Sequence, residues 1–279
     1  MVCRSRCQDQ GVRFERGRLG TIPYAAVGDG PPVLAIGGMS TVTGVDSDMT
    51  VRSTLEPLRA LAHTRRIYVT NRRPGLPRDM TMTRFGDEYA QAIEQGFTGP
   101  VDVVGASTGG SIAAQLAADH PDVVRRLVLV SAACRLGPVG REDQARIARH
   151  IRAGRRRRAI ASGAAALVPP WRGRTLAAAV SWLAAKRLVP QATGWDDMVA
   201  TIDAEDGFDL ATCASPVRAP ALILAGRLDR FYSPALFEET AALIPVSELR
   251  IGRRSSSAKV LFGVSRRNQV AAGGRVISE

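Results

Sequence analysis

Apolar residues along the chain follow two alternating rhythms. Short continuous runs, Val33–Ile36, Ile67–Val69, Val101–Val104, Leu127–Val130 and Ala221–Leu224, have the length and composition of strands buried on both faces. Between them, Ser53–Ala62, Thr83–Gln95 and Ser111–Ala118 space their apolar positions as helices do. Ahead of these, Val12–Arg18 and Thr21–Val27 read as an antiparallel hairpin joined near Gly17–Gly20. Strands alternating with helices of this length predict βαβ units. The expected class is α/β, a mostly parallel sheet with helices on both faces.

The alternation fails between Arg135 and Asp209. This stretch is rich in Ala and Arg, reads as three or four helices and contains no good strand; strand character resumes at Ala221. About 70 residues thus interrupt a sheet that continues afterwards. An insert leaving the carboxyl end of a strand lies over the crevice where open α/β sheets bind ligands, so a lid is expected. The division that follows is a core of residues 1–136 and 209–279 and a helical lid, 137–208, placed before the penultimate strand.

With 45% hydrophobic and 23% charged residues in 279, the chain has enough apolar material for a large core, which excludes disorder and coiled-coil architectures. No apolar run approaches the roughly 18 residues of a membrane span. Met1–Arg18 holds five arginines and no apolar centre, so it does not read as a secretory signal, and a cytoplasmic protein is expected.

A net charge of +12 would suggest nucleic acid if it were concentrated. It is dispersed instead: +5 over 137–208, +6 over 250–279 and +3 over 1–18. No helix gathers it with aromatics between the charges, so no nucleic-acid partner is expected. The run Arg155–Arg158 in the insert reads either as a solvated helix face or as an attractor of anionic substrate. Cys3–Cys7 is a lone C-x3-C without a matching pair, and Cys134 and Cys213 sit in apolar stretches as small core residues would. No metal and no other cofactor is expected.

The chemistry concentrates at Val103-Val104-Gly105-Ala106-Ser107-Thr108-Gly109-Gly110. Gly105-x-Ser107-x-Gly109 follows an apolar run and opens a helical one, which is the context of a nucleophile elbow. So sharp a strand-to-helix reversal strains its central residue and crowds its flanks, hence the small residues two positions to either side. It lifts Ser107 Oγ clear of the sheet and aims the Thr108 amide at an oxyanion formed there.

On these residues the chain resembles the α/β-hydrolase fold, in particular the cofactor-free, lidded serine hydrolases that include esterases and non-haem haloperoxidase-like enzymes. The likeness runs to about residue 250. It implies that the loop Gly37-Gly38-Met39-Ser40 supplies the second oxyanion donor, the Met39 amide, beside that of Thr108; Gly37 stands where the family commonly has His. It also implies that Asp229, in Ala221–Leu224 followed by Ala225-Gly226-Arg227-Leu228-Asp229, is the triad acid, 122 residues beyond Ser107 and in the family's order.

The third triad member is missing. The family's histidine follows the last strand, commonly as Gly-x-Gly-His. Here Glu248–Ile251 runs into Gly252-Arg253-Arg254-Ser255-Ser256-Ser257, and no histidine occurs after His150. His63 and His120 are placed by the pattern at the opposite pole of the sheet, and only His150, in the insert, is positioned to fold back over Ser107. The segment Arg266–Glu279, with Gly273-Gly274, also lacks the periodicity of the family's closing helix.

The function expected is a serine hydrolase, esterase-like, acting on a small ester or amide through an acyl-enzyme, impaired to the extent that no base serves Ser107. The alternative is a non-catalytic protein of the same fold that binds a small ligand. Trp171, Trp182 and Trp195 are the bulky residues available to the pocket wall or to lid packing.

Overall fold

A computed structural model describes residues 13–168, 173–188, 193–213 and 215–252 of the chain. Eight strands form one sheet: β1 (Glu15–Leu19), β2 (Ile22–Val27), β3 (Pro32–Ile36), β4 (Arg66–Thr70), β5 (Val101–Ala106), β6 (Val124–Val130), β7 (Ala221–Gly226) and β8 (Ser247–Gly252). Their order across the sheet is β1-β2-β4-β3-β5-β6-β7-β8. The β1–β2 and β2–β4 pairs are antiparallel and all others parallel. The expected mostly parallel α/β sheet is therefore present, with its leading hairpin. Leu19 pairs with Ile22 across a turn whose Gly20 has φ +55, a conformation that glycine enters without Cβ strain.

The helices are α1 (Asp48–Leu55), α2 (Met82–Gly96), α3 (Thr108–Asp119), α4 (Pro138–Arg152), α5 (Arg156–Ala166), α6 (Arg174–Leu188), α7 (Trp195–Asp206) and α8 (Pro234–Leu243). One expectation needs correction. The run 53–62 is not a single helix: α1 begins earlier, capped by Ser47, which accepts from the Thr50 amide, and ends at Leu55. A 3-10 stretch, Glu56–His63, follows. Pro57 has no N–H and its ring crowds the preceding turn, so the α-helical ladder cannot run through it.

Both sheet faces are covered. On one, Leu34, Ile36, Val103, Leu127 and Ile223 pack with Phe85, Tyr89 and the interior of α3. On the other, Val33, Ala35, Ile67, Val69 and Val104 pack with Val51, Leu55 and Leu58. Helix α3 is buried from Thr108 to Ala118, which its small side chains permit. Gly86 of α2 sits where a Cβ would lie 3.5 Å from the backbone of Leu116, so the two helices approach closely.

Between β6 and β7, where among the described residues four α-helices replace strands, α4, α5 and α7 share a separate apolar cluster around Ile147, Ile151, Ala159, Trp195, Met198 and Ile202. Among the described residues, no helix is long and apolar enough to cross a membrane.

Candidate active site

Strand β3 has β4 on one side and β5 on the other, so chain direction across the sheet reverses between β3 and β5. Loops leaving the carboxyl ends of strands at such a point diverge and leave a crevice. Ser107 stands at this crevice, at the end of β5, with φ 52 and ψ −126. A serine at positive φ is strained by about 1–3 kcal/mol and persists where its surroundings over-determine it. Those surroundings are specific. The Ser107 amide donates to the Val130 carbonyl at 2.9 Å, and its carbonyl accepts from the Gly110 amide at 2.6 Å. A Cβ on Gly105 would lie 2.6 Å from Gly110 Cα, and one on Gly109 would collide with the backbone of Ile36 and Gly37. The glycines flanking Ser107 are thus required by contact with the neighbouring turn and strand.

The loop after β3 leans on this turn: a Cβ on Gly38 would be 3.3 Å from Ser107 Cβ. Gly37 donates to Thr70 O at 2.9 Å and Gly44 to Arg72 O at 3.1 Å. The buried Arg72 guanidinium donates to the Ser40 carbonyl and to Asn71 Oδ1. Burial pulls its pKa down to about 10, and the charge of nearby Asp197 opposes that fall. Met39 packs against the apolar cluster of the helical insert.

Met39, Ser107 and Thr108 all line one cavity of about 580 Å³, within the range of small-molecule sites. Its floor is the sheet end with Ile36, Val104 and Val130. Its roof is Ile147, Ile160, Leu167, Trp195 and Met198. No Asp, Glu, Lys, Arg or His appears among the described residues of its wall; the polar groups there are hydroxyls, Gln144 and the Trp195 indole.

Asp229 follows β7 and is not part of that wall. It accepts from the Phe231 and Tyr232 amides at 2.9 and 3.2 Å and from the hydroxyl of Ser131. Ser131 does line the cavity. It follows β6 with φ 51, and its amide donates to Leu224 O at 2.8 Å. The carboxylate thus reaches the cavity through Ser131, a residue that the sequence did not single out.

All three histidines are described, and none lies on the cavity wall. His63 ends the 3-10 stretch before β4. His120 caps α3 at the amino-terminal edge of the parallel strands and pairs with Asp87 at 2.8 Å. His150 lies in α4; partial burial and the charges of Arg158, Arg155, Arg149 and Arg146 hold its imidazole below its ordinary pKa. Gly252 marks the end of the described chain here, so the serines after it, the tail 253–279, Cys3, Cys7 and Trp171 lie outside the described residues. Cys134 is buried and Cys213 partly so. Among the described residues no group of His, Cys, Asp and Glu is arranged to hold a metal ion.

Two further acids escaped the sequence. Glu205, wholly buried in α7, accepts from Thr108 Oγ1 (2.8 Å), Ser111 Oγ (2.9 Å), Gln144 Nε2 (2.8 Å) and, more weakly, Tyr232 Oη (3.4 Å). Burial raises its pKa, and these hydrogen bonds restrain the rise. Asp197, also in α7, accepts from Thr43 Oγ1 (3.0 Å) and the amides of Gly75 (3.2 Å) and Leu76 (2.8 Å). A usable signal existed. Asp197, Thr201 and Glu205 recur every four residues on the helix face that also carries Met198 and Ile202, and acids on such a face need buried partners.

Comparison with known proteins bears on the fold. No curated protein matches the chain in sequence. Solved structures match its fold. The enol-lactonase from Burkholderia xenovorans LB400 is 19% identical with a TM-score of 0.68, over 88% of this chain and 94% of that one. A thermophilic esterase from Thermogutta terrifontis is 20% identical with a TM-score of 0.62, over 89% and 93%. The 2-hydroxy-6-oxo-6-phenylhexa-2,4-dienoate hydrolase from Rhodococcus sp. strain RHA1 is 16% identical with a TM-score of 0.61, over 89% and 93%. Likeness at these identities speaks for the fold. The sequence model of one family, described as alpha/beta hydrolase fold, matches residues 70–251, more than half of the chain from β4 to β8. The chain belongs to the alpha/beta hydrolase fold family.

Proposed function

We propose that the chain is a serine hydrolase, esterase-like, that acts on a small uncharged ester or amide through an acyl-enzyme intermediate. The single observation that carries this reading is Ser107, held at φ 52 where a strand turns into a helix, at the wall of an apolar cavity. In the mechanism, Ser107 Oγ attacks the carbonyl carbon and loses its proton to water, and the amides of Met39 and Thr108 hold the oxygen that becomes negative. The alcohol or amine departs with a proton from water to leave the acyl-enzyme, and a second water hydrolyses that ester to free the acid and Ser107. Asp229 is the acid of the constellation, and residues 137–208 are the lid over a core of 1–136 and 209–279. An uncharged wall selects an uncharged substrate, since burying a carboxylate without a partner costs several kcal/mol. In this the chain differs from the Rhodococcus neighbour, whose name gives a dienoate as its substrate.

The serine proton has no imidazole to receive it on the described cavity wall. Loss of the base elsewhere leaves roughly 10³–10⁴-fold acceleration over water from the oxyanion donors and binding alone. The expected turnover is correspondingly slow. Hydrolysis of p-nitrophenyl acetate and butyrate, measured beside Ser107→Ala at equal concentration, tests the reading. Wild-type turnover about tenfold or more above the variant supports it. Equal, near-background rates from two folded samples sink it.

The absence of all three histidines from the cavity wall specifically favours a second reading, a small-ligand-binding protein without hydrolytic activity. Saturable binding of an uncharged ketone of matching size, with no ester turnover, selects it over the first.

A further inference from the structure

From residue 155 to residue 188 the chain carries eight Lys or Arg and no Asp or Glu. Elsewhere in the insert three of the four arginines of α4 are matched: Arg141 meets Asp206, Arg146 meets Glu142 and Asp143, and Arg152 meets Asp203, while Arg149 is exposed without a carboxylate among the described residues. Arg155, Arg156 and Arg158 are exposed, and no carboxylate among the described residues pairs with them. On α6, Leu176, Val180 and Leu183 recur at i, i+4 and i+7, so they share one face, and they are 69%, 56% and 64% exposed. The basic run adjoins α6: the Arg157 guanidinium lies 3.7 Å from the centre of the Trp182 ring and donates to the Trp182 carbonyl. Trp182 is itself 42% exposed. The inner side of the same helix pair, through Ile160, Gly163, Ala164, Leu167 and Ser181, forms the cavity roof.

We propose that the outer face of α5 and α6 docks on an anionic lipid surface. Leu176, Val180 and Leu183 enter the boundary between headgroups and acyl chains, Trp182 lies at headgroup level, and Arg155, Arg158 and Lys186 meet lipid phosphates, while Arg156 turns inward over the Trp195 ring at 5.7 Å. Charge and apolar surface together select this partner. A nucleic acid would satisfy the guanidinium groups but leave three aliphatic side chains against water, and it would want aromatics interleaved with the charges. Docking places a cavity with an uncharged wall beneath the lipid surface, with α5 and α6 between the two. The inference concerns a surface and stands apart from any hydrolytic role of Ser107.

Co-sedimentation of the full chain with vesicles of phosphatidylcholine, alone or mixed with phosphatidylglycerol, tests it. The expected result is binding to the mixed vesicles, weak binding to phosphatidylcholine alone, and release by salt. Arg155→Ser with Arg158→Ser should lower partitioning about 30-fold, since two basic residues at roughly 1 kcal/mol each near such a surface are lost. Leu176→Ser with Leu183→Ser should lower it by a similar factor while leaving the thermal melt unchanged, since both side chains already face solvent. Failure to bind mixed vesicles at low salt overturns the proposal. So does binding that the leucine pair leaves unaltered, or equal retention on duplex DNA, which mark simple polyanion attraction. A wild-type dimer that the leucine pair converts to monomer also overturns it, because the face then contacts a second copy.

Discussion

The helical insert has two halves with opposite attachments. Helices α4 and α7 are tied to the core by buried polar side chains. Asp197 holds the loops after β3 and β4, Glu205 holds Thr108 and Ser111 at the start of α3, and Asp143 holds Arg230 beyond β7 at 3.0 Å. Helix α6 carries exposed aliphatics and α5 the exposed Arg156 and Arg158, and among the described side chains Arg157 donates across to the Trp182 carbonyl. Both halves line the same cavity. The lesson is that enclosing a site and positioning it are separable. Directional bonds from α7 set the geometry around Thr108 and the loop of Met39, whereas α5 and α6 close the space by apolar contact.

The largest break in this contrast should come from Asp197→Ala. It strands the Thr43 hydroxyl and the Gly75 and Leu76 amides, and removes the negative charge that partly offsets the burial of Arg72. A loss of about 3 kcal/mol in urea unfolding is expected. A loss below about 1 kcal/mol would mean that α7 is not anchored there.

Gly194→Ala comes next. Its Cβ would overlap Thr43 Oγ1 and lie 3.0 Å from Thr43 Cβ, and Gly194 itself donates to Thr41 O at 3.1 Å. Crowding this junction of α7 with the loop after β3 should cost about 2 kcal/mol in the same measurement.

Glu205→Gln sharpens the comparison through pH. Burial holds the folded carboxyl above its ordinary value of 4.5, so the folded chain keeps a proton that the unfolded chain has released. The stabilising contribution of Glu205 is therefore full below about 4.5 and declines as pH rises towards the folded value. Glutamine has no proton to lose, so the stability of the variant should fall less steeply over that window. At acid pH the difference in stability should be about 1 kcal/mol, because most of the hydrogen bonds are kept. Parallel stability–pH curves for the two proteins would contradict this.

Leu183→Ser, on the loosely tied half, should change stability by no more than about 0.5 kcal/mol. A loss as large as that of Gly194→Ala would show α6 to be integral to the packed core and erase the distinction.

Much of the fold was legible in the alternation of apolar runs because a strand buried on both faces and a helix packed on it leave local marks. The 3-10 stretch was misread because the apolar spacing around Leu58 and Leu61 continues through Pro57, and spacing alone does not register a missing N–H. Ser107 was legible because its turn needs small residues at fixed, nearby positions. Ser131 was not. Its positive φ and its hydroxyl bond to Asp229 come from the register of β6 with β7, which brings residues 98 apart together. Asp197 and Glu205 left a mark in the pattern of α7, but their partners on the loops after β3 and β4 and on α3 carry none.

By itself the sequence determined the α/β alternation, the sharp turn at Ser107 and the number of histidines, since each depends on residue identity over a few neighbouring positions or on a count. Tertiary structure alone decided that no histidine reaches the described cavity wall, that Asp229 meets the cavity through Ser131, and that the two halves of the insert differ in attachment. These depend on which distant segments the parallel sheet and the packed helices bring within hydrogen-bonding distance. Short-range, directional contacts between residues far apart in the chain have no counterpart in local periodicity.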